Sequence, residues 1–391
     1  MTAALLLHRD GHRVTVFERF EAAAPIGSGL MLQPTGLAVL GALGLRDQTL
    51  RIGARINRLF GQAGVSGRTV LDVRYASLGR DDLFGVGVHR ASLFDILHGA
   101  ILTAGINVIT GHQVIDSDLR SDGGRRLSFA NGRTAGPFDL IVDALGTRSP
   151  LSPQVGRTLA YGALWASLDW VDDRGFDAAA LTQRYRAAST MIGVMPSGLV
   201  GADPRAKATF FWSLRADRLA DWRASGLDAW KADALGLWPA LVPYLSQIAS
   251  ADQLTFAQYA HRTLAAPAEP GLIHIGDAWH STSPQLGQGA NMALLDAWAL
   301  SLALRERGDV TDALARAVAL RRNHIRLYQA LSALLTPVYQ SDDRVIPFLR
   351  DWAVGPLSKL WPVGAIQAAM VSGLIGAGLG RLGRVRPSLS P

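Results

Sequence analysis

The chain of 391 residues contains no cysteine. A disulfide framework, a zinc site built from thiolates and catalysis by a cysteine nucleophile are therefore excluded. A chain without cysteine suits a reducing compartment, and we predict a cytoplasmic location. The nine histidines lack the spacing of a metal-binding motif, so we also predict no metal.

Lysine is scarce as well, since it occurs only at positions 207, 231 and 359. Arginine therefore carries most of the positive charge, and the formal net charge of the chain is +7. These arginines are scattered along the sequence, whereas a nucleic-acid-binding surface gathers them on one face. We predict no nucleic-acid partner, while a nucleotide or another small anion would suit this charge.

Residues 360–380 carry no charge and are about as long as a membrane-spanning helix. Pro362, Gln367 and several glycines disfavour a membrane-spanning helix in this stretch. We predict that it packs against the protein. Weak peripheral membrane contact through 360–386, and a true span, are the alternatives.

The hydrophobic content of 49% supports a large core and more than one domain. Alternating strand and helix patterns predict an α/β domain in two parts, residues 1–154 and 263–330. Residues 155–262 hold most of the ten tryptophans and several strand-like runs, which indicates an inserted α+β lobe with a mixed sheet. Residues 331–391 are predicted to be a helical C-terminal region.

One segment carries most of the functional signal: "LIHIGDAWHSTSPQLGQGANMALLDAWAL", residues 272–300. It predicts a buried strand, a glycine-rich bend and the start of a helix, an arrangement that offers backbone N–H groups to a ligand. Asp277 could accept hydrogen bonds from a ribose hydroxyl, and Gly287 and Gly289 would let a planar ligand approach the backbone. An ordinary strand-to-helix connection is the alternative.

The first residues supply a second signal, because "RVTVFER" predicts a strand that ends at Glu18. An acid at this place binds the adenosine ribose in a dinucleotide-binding βαβ unit, although a solvated charge is the alternative. Such a unit begins with a strand and a G-x-G-x-x-G turn, about twenty residues before the acid. The sequence starts within the expected helix, so we expect either a misplaced start or a truncation, which translation of the upstream DNA would decide.

The segment "GDAWHSTSPQLGQGANMALLDA" resembles the second FAD fingerprint of the group A flavoprotein monooxygenases, the aromatic and ubiquinone-type hydroxylases. That fingerprint is roughly G-D-A-A-H-x3-P-x2-G-x-G-x-N, followed by an aspartate. The matching anchors are Gly276, Asp277, His280, Pro284, Gly287, Gly289, Asn291 and Asp296. The resemblance extends over nearly the whole chain, through "GSGLMLQPTGLAVLGALGL", "VHRASLFDIL" and "DLIVDALGTRSPL".

This resemblance implies a Rossmann-like FAD/NAD(P)-binding domain and the hydroxylation of an aromatic or other apolar, electron-rich small molecule with NAD(P)H and O2. A side-chain nucleophile is not expected. Pro284 and His280 would lie near the flavin, His280 in a structural role. The residues implied to bind FAD are Glu18, Arg19, Arg90, Val114, Asp277, Pro284, Gly287, Gln288, Gly289, Ala290 and Asn291.

One motif departs from the family. The usual V-G-A-D-G is replaced by a segment with Asp143 in the place of Gly and Leu145 in the place of Asp. In the family that Asp-Gly pair is linked with the flavin and with the nicotinamide pyrophosphate. The departure therefore puts the usual handling of NAD(P)H in question.

The substrate is expected between the flavin and the tryptophan-rich lobe. Its predicted walls, each with ordinary core packing as the alternative, are Tyr185, Met191, Met195, Phe210 and Trp212. Such walls favour an apolar or aromatic substrate. Two other functions stay open: a flavin-dependent reductase or dehydrogenase of the same superfamily, and a degenerate, non-catalytic member. The protein is expected to be a monomer or a homodimer.

Overall fold

The structure, a computed structural model, describes residues 1–22, 27–64, 66–172, 175–306, 308–358 and 362–376. The helices in these residues are α1 (Thr2–Arg9), α2 (Pro34–Ala42), α3 (Arg46–Ile52), α4 (Arg90–Thr103), α5 (Leu219–Ser225), α6 (Leu227–Leu237), α7 (Val242–Leu245), α8 (Gly289–Arg305), α9 (Val310–Tyr339), α10 (Val345–Ser358) and α11 (Val363–Val371). The strands are β1 (Thr15–Phe17), β2 (Gly29–Leu32), β3 (Ala54–Ile56), β4 (Arg58–Ala63), β5 (Arg68–Arg74), β6 (Gly85–His89), β7 (Asn107–Ile109), β8 (Val114–Leu119), β9 (Arg125–Phe129), β10 (Thr134–Phe138), β11 (Ile141–Asp143), β12 (Arg157–Asp169), β13 (Ala180–Arg186), β14 (Thr190–Val200), β15 (Asp203–Arg215), β16 (Thr255–Thr263), β17 (Ala268–Glu269), β18 (Leu272–His274) and β19 (His280–Ser281).

Parallel strand pairs form the α/β part of the molecule. Strand β1 pairs in parallel with β7, and β11 pairs in parallel with β18. Helices α1, α2, α4 and α8 contribute to one apolar core with β2 and β6, whose centre includes Leu6, Leu40 and Leu295. The parallel strands and their covering helices confirm the predicted α/β architecture.

A sheet of eight strands forms the second part, in the order β19-β16-β12-β15-β14-β13-β4-β5. One face packs against α5, α6 and α7 through a core rich in tryptophan. Strands β4 and β5 belong to this sheet although they precede residue 155. The sheet is thus built from more of the chain than the segment 155–262.

The two parts meet where β6 crosses β14. A Cβ added at Gly87 would lie 1.9 Å from the carbonyl oxygen of Pro196, so only glycine fits this approach. The backbone N–H of Gly29 on β2 also donates to the hydroxyl of Thr209 on β15, at 2.9 Å. These contacts hold β2 over the face of the large sheet that the tryptophan-rich core does not use.

The C-terminal helices pack on the same side of the large sheet. Ala368 and Val371 of α11 are buried against Tyr75, Met31 and Met195. The prediction that this stretch packs on the protein is therefore confirmed for α11, whereas residues 360, 361 and 377–386 lie outside the described residues. Among the described residues, no helix is long and apolar enough to cross a membrane.

Candidate cofactor and substrate site

The bend that precedes α8 is shaped by its glycines and its proline. Gly276 (φ +57°) and Gly287 (φ +61°) both adopt the left-handed conformation that other residues avoid. Pro284 begins a short 3₁₀ turn that ends at Gly287, and its fixed φ suits that position. The chain consequently arrives at Gly289 in the direction that starts a helix of 17 residues.

Asn291 fixes the start of α8 against β2. Its side-chain oxygen accepts the backbone N–H of Gln33 at 2.8 Å, and its amide donates to the carbonyl oxygens of Met31 (3.1 Å) and Gly287 (3.0 Å). The residue is fully buried, so every one of these bonds is shielded from water. Asn291, which is expected to contact the cofactor, thus joins the two segments that would line the cofactor site.

Asp277 and Arg90 lie close enough for the charge of Arg90 to act on the Asp277 carboxyl. Both side chains are exposed, yet the surrounding protein raises the pKa of the Asp277 carboxyl through desolvation, against the opposing effects of His280 and Arg90. An exposed group that is nevertheless crowded by protein is typical of a cleft. The structure therefore brings together two residues that lie far apart in the sequence and were both predicted to bind the cofactor.

The remaining predicted contacts lie along β1 and β8. Glu18 directly follows β1, and its carboxylate accepts the N–H of Phe20 at 3.0 Å. The exposed guanidinium of Arg19 lies 4.6 Å from the ring centre of Phe20. Val114 begins β8 and packs into a small core with Phe17 of β1. The carbonyl oxygen of Glu18 accepts the N–H of His112 at 2.8 Å, two residues before Val114.

The departure at Asp143 and Leu145 has a structural explanation. Asp143 is buried, and its carboxylate accepts the hydroxyl of Ser149 and bonds with His274 Nδ1, both at 2.7 Å. It also accepts the N–H of Leu145 at 2.9 Å. Asp143 therefore holds the loop after β11 to strand β18. The side chain of Leu145 is exposed and supplies no polar group.

A buried network lies behind the bend. Asp296 of α8 accepts Arg321 Nε of α9 at 2.8 Å and bonds with His280 Nε2 at 2.7 Å. The backbone N–H of Gly276 donates to the same carboxylate at 3.0 Å. Burial alone would raise the pKa of Asp296, but the charges of His280 and Arg321 lower it to about 2. His280 is held by this network and faces the protein interior.

The network continues to the C-terminal segment through His324. Arg321 Nη1 lies 2.8 Å from His324 Nδ1, and His324 Nε2 lies 3.1 Å from the carbonyl oxygen of Gly373. Because arginine only donates, Nδ1 must be the accepting nitrogen and Nε2 must carry the proton. Burial, followed by the charge of Arg321, lowers the pKa of His324 from 6.5 to about 4.

Three of the predicted substrate residues lie on the sheet face toward β2. Met195 packs with Met31 and Tyr75, close to the bend before α8. Tyr185 and Met191 pack together farther along the same face, with Phe211. The structure therefore places these three on the expected side of the large sheet.

Phe210 and Trp212 lie on the opposite face, which corrects their prediction as substrate walls. Their rings contact Trp230 of α6 at centroid distances of 6.0 Å and 5.8 Å. Side chains alternate along a strand, so a shift by one residue exchanges the two faces. Phe211 is the residue of this run that faces β2, and its ring lies 5.0 Å from that of Trp165.

Comparison with known proteins identifies the family. A family model described as "FAD binding domain" matches residues 1–326. The chain belongs to this family. Its relatives are FAD-dependent aromatic monooxygenases, and the chain is an FAD-dependent monooxygenase of the same group, which confirms the resemblance.

The 3-amino-4-hydroxybenzoate 2-monooxygenase of Streptomyces cremeus is 27% identical over 324 residues, which cover 76% of this chain and 73% of that protein. Phenazine 1,6-dicarboxylic acid hydroxylase PhzS of Lysobacter antibioticus is 28% identical over 353 residues, with coverage of 82% and 84%. The structure of Klebsiella pneumoniae HpxO complexed with FAD and uric acid has a TM-score of 0.77 at 20% identity, with coverage of 96% and 95%. This last likeness confirms the fold.

The residues around the start of α8 are suited to binding FAD. A Cβ added at Gly289 would meet no atom within 4 Å, so there is open space beside the start of α8. The first N–H groups of a helix have no partner within it and suit an anionic or carbonyl acceptor. Within the described residues, the buried amide groups Gln288 Oε1 and Gln285 Nε2 also lack hydrogen-bond partners. Buried polar groups without partners near the start of α8 leave capacity for further hydrogen bonds.

The lowered pKa of His324 predicts acid sensitivity of the folded monooxygenase. In the unfolded chain His324 has a pKa near 6.5 and therefore binds a proton more tightly than in the folded protein. The contribution of neutral His324 to the free energy of unfolding is consequently present above about pH 6.5 and is lost as the pH falls toward 4. We expect a loss of about 1–3 kcal/mol in the free energy of unfolding over this range. The measurement is urea unfolding at pH 7 and pH 4.5.

His324→Gln is the matched control for this pH effect. A glutamine can accept from Arg321 and donate to Gly373 without titrating. Its free energy of unfolding should fall less between the two pH values than that of the native chain. Equal losses in both proteins would rule out His324 as the source.

Two contacts at the site were not predicted from the sequence. The hydroxyl of Tyr75 donates to Gln33 Oε1 at 2.5 Å, with both residues fully buried. Trp165 Nε1 donates to the hydroxyl of Tyr259 at 3.1 Å, and the charge of Arg90 acts on Tyr259. The only sequence signal was a polar residue, Gln33, within an otherwise apolar run before Pro34.

Proposed function

We propose that this FAD-dependent monooxygenase hydroxylates an apolar or aromatic small molecule with NAD(P)H and O2. The observation that carries this proposal is the meeting of three features at one place. The start of α8 and the sheet face that bears Met195 adjoin β2. Arg90, which acts on the pKa of Asp277, donates its backbone N–H to the carbonyl oxygen of Ser28 just before β2. A polar cleft beside an apolar wall suits a polar cofactor on one side and an apolar substrate on the other.

In this proposal three parts of the cofactor bind to different elements of the protein. Glu18, Arg19 and Val114 bind the adenosine end, whereas Asp277 and Arg90 bind the central part. Pro284 and the backbone from Gly287 to Asn291, including Gln288 and Ala290, border the flavin ring. The N–H groups at the start of α8 stabilise negative charge on the ring. When bound, FAD supplies the redox chemistry, accepting reducing equivalents from NAD(P)H and activating O2.

The substrate in this proposal lies against Met195, with Met191 and Tyr185 farther along the wall. These apolar side chains exclude water, and they orient the substrate by shape. Phe211 joins the wall in the place proposed from the sequence for Phe210 and Trp212. The relatives named above are monooxygenases and hydroxylases of substituted aromatic acids, which supports an aromatic substrate.

The first test is flavin content followed by substrate screening. The purified protein should be yellow, and an aromatic substrate should stimulate its oxidation of NADH or NADPH. Since Leu145 replaces an acidic residue of the usual motif, both nicotinamide cofactors must be compared. A well-folded protein that takes up no FAD would contradict the proposal and favour a non-catalytic member.

Removal of the Tyr75 hydroxyl should reduce the efficiency of hydroxylation. The bond from Tyr75 turns the amide group of Gln33 so that Nε2 points away from Tyr75, and a Cβ at Gly287 would lie 3.7 Å from it. In Tyr75→Phe the amide oxygen of Gln33 loses its donor, and only the bond from Nε2 to Met31 Sδ (3.1 Å) still holds the amide. We expect a cost of about 1 kcal/mol, or roughly fivefold in turnover. The measurement is the ratio of hydroxylated product to hydrogen peroxide per NAD(P)H oxidised.

Tyr328→Phe is the matched control, because its hydroxyl donates to the carbonyl oxygen of Met370. We expect the product ratio to fall in Tyr75→Phe and to stay near the native value in Tyr328→Phe. If both variants couple as well as the native enzyme, Tyr75 does not orient Gln33 for the reaction.

We further propose that the protein is cytoplasmic and acts as a monomer or a homodimer. Weak membrane contact through residues 360–386 also stays a proposal, supported by Lys359, Arg381, Arg384 and Arg386 in a stretch without acids. Size-exclusion chromatography with light scattering would give the oligomeric state.

A further inference from the structure

Helix α10 turns apolar side chains toward the solvent. Val345, Phe348, Leu349 and Trp352 are 65%, 61%, 58% and 57% exposed. Their spacing places all four on one side of a helix, which we call the α10 face. Contiguous exposed apolar side chains of this size usually mark an interaction surface.

The opposite side of α10 carries a buried charge. Arg350 is 3% exposed, and its guanidinium donates to the carbonyl oxygens of Val338 and Ala187, both at 2.9 Å. The same guanidinium lies 4.9 Å from the ring centre of Tyr185. A rotation of the helix that buried the apolar residues would leave this arginine without its partners. The outward direction of the α10 face is therefore fixed by Arg350.

The acids around α10 already have partners. Asp343 accepts the N–H of Val345 at the start of the helix (2.7 Å), and Asp351 pairs with Arg350 (2.6 Å). Asp342 accepts the hydroxyl of Tyr161 and pairs with Arg215. Asp342 and Asp351 are thus paired with arginines, and Asp343 caps the start of α10.

Basic groups border the same face. The guanidinium of Arg68 lies 3.8 Å from the ring centre of Trp352. Arg344 is exposed and has no acidic partner within the described residues. In the sequence no acid follows Asp351, while four basic residues do: Lys359, Arg381, Arg384 and Arg386.

We propose that the α10 face docks on an anionic lipid surface. An amphipathic helix that presents aromatic and aliphatic side chains within a basic border is the typical form of an interfacial membrane helix. Its apolar residues enter the boundary between headgroups and acyl chains, and the arginines pair with lipid phosphates. With 14 residues, α10 lies on a bilayer and does not cross it.

A second copy of the chain is the less suitable occupant. In a two-fold dimer the same surface patch meets itself, so Arg68 and Arg344 would face the arginines of the partner copy. Like charges across an interface oppose association. An anionic surface instead complements both the apolar residues and their basic border.

The test is sedimentation of the full-length, FAD-loaded protein with lipid vesicles. One set of vesicles contains phosphatidylcholine only, and the other contains phosphatidylcholine with phosphatidylglycerol. The native chain should bind the anionic vesicles more tightly than the neutral ones, and added salt should weaken that binding. Phe348→Ser with Trp352→Ser should lower the partition coefficient on anionic vesicles by about tenfold or more.

A matched control carries two serines at exposed apolar positions elsewhere. Ile115→Ser with Leu119→Ser changes two residues of β8 that are each 48% exposed. This control should bind as the native chain does, and flavin absorbance should show that both variants are folded. Native protein that ignores anionic vesicles, or serine variants of α10 that still bind fully, would overturn the proposal. A dimer that only the α10 variant dissociates, without vesicle binding, would also overturn it and assign the face to a second copy.

Discussion

Asp296→Ala should lower the free energy of unfolding by about 3–5 kcal/mol, because it leaves buried charge without a partner. Arg321 is 1% exposed and loses its carboxylate, and His280 and the N–H of Gly276 lose the same acceptor. Chemical denaturation of the native and variant proteins measures this difference.

Asp309→Ala is the matched control for that variant. Asp309 caps the start of α9 by accepting the N–H of Asp312 at 2.7 Å, at the protein surface. Loss of such a cap costs about 1 kcal/mol. Similar losses in the two variants would mean that the Asp296 network does not stabilise the bend before α8.

Asp277→Ala should weaken FAD binding by about tenfold or more while leaving the fold intact. A carboxylate that accepts a ribose or ribityl hydroxyl forms a charge-assisted bond, worth about 1.5–3 kcal/mol. Within the described residues, Asp277 makes no hydrogen bond or ion pair with its side chain, so the folded protein does not depend on it. The measurement is flavin absorbance per protein, together with a titration of the apoprotein with FAD.

Asp95→Ala supplies the comparison, since Asp95 is an exposed aspartate of α4. It should keep the FAD content and the affinity of the native protein. Full FAD occupancy in Asp277→Ala would contradict the proposed role of Asp277, even if the protein proved to be a monooxygenase.

The part of the site that was predictable from sequence is local in the chain. The strand, the bend and the helix start between 272 and 300 are set by glycine conformations and by an apolar pattern, both of which can be read over short distances. Asp277 was found in this way, whereas Asn291 was named by the resemblance to the FAD fingerprint. The fingerprint also named Asp296, although its partner Arg321 lies 25 residues farther along the chain.

The substrate wall was predicted less well because it depends on strand register. A run such as "ATFFWSL" contains aromatic residues on both faces of the strand, and the sequence does not say which face packs against helices. The structure turns Phe210 and Trp212 toward Trp230 and leaves Phe211 toward β2. Composition alone could not distinguish these neighbours.

Pairings between distant segments were beyond the sequence altogether. Tyr75 and Gln33 are 42 residues apart, and neither belongs to a motif that can be recognised from residue spacing. For helix α10 a sequence pattern exists but is misleading, since an amphipathic helix is expected to turn Phe348 and Trp352 toward the core. The buried bonds of Arg350 reverse that orientation.

The most direct test of the central claim is the fate of oxygen during turnover. FAD-loaded protein is incubated with NAD(P)H, isotopically labelled O2 and an aromatic substrate that stimulates NAD(P)H oxidation, and the product is analysed by mass spectrometry. A monooxygenase should give a product that carries one labelled oxygen atom for each NAD(P)H consumed in coupled turnover. A reduced or dehydrogenated product without labelled oxygen, or hydrogen peroxide as the sole oxygen product with every stimulating substrate, would contradict it.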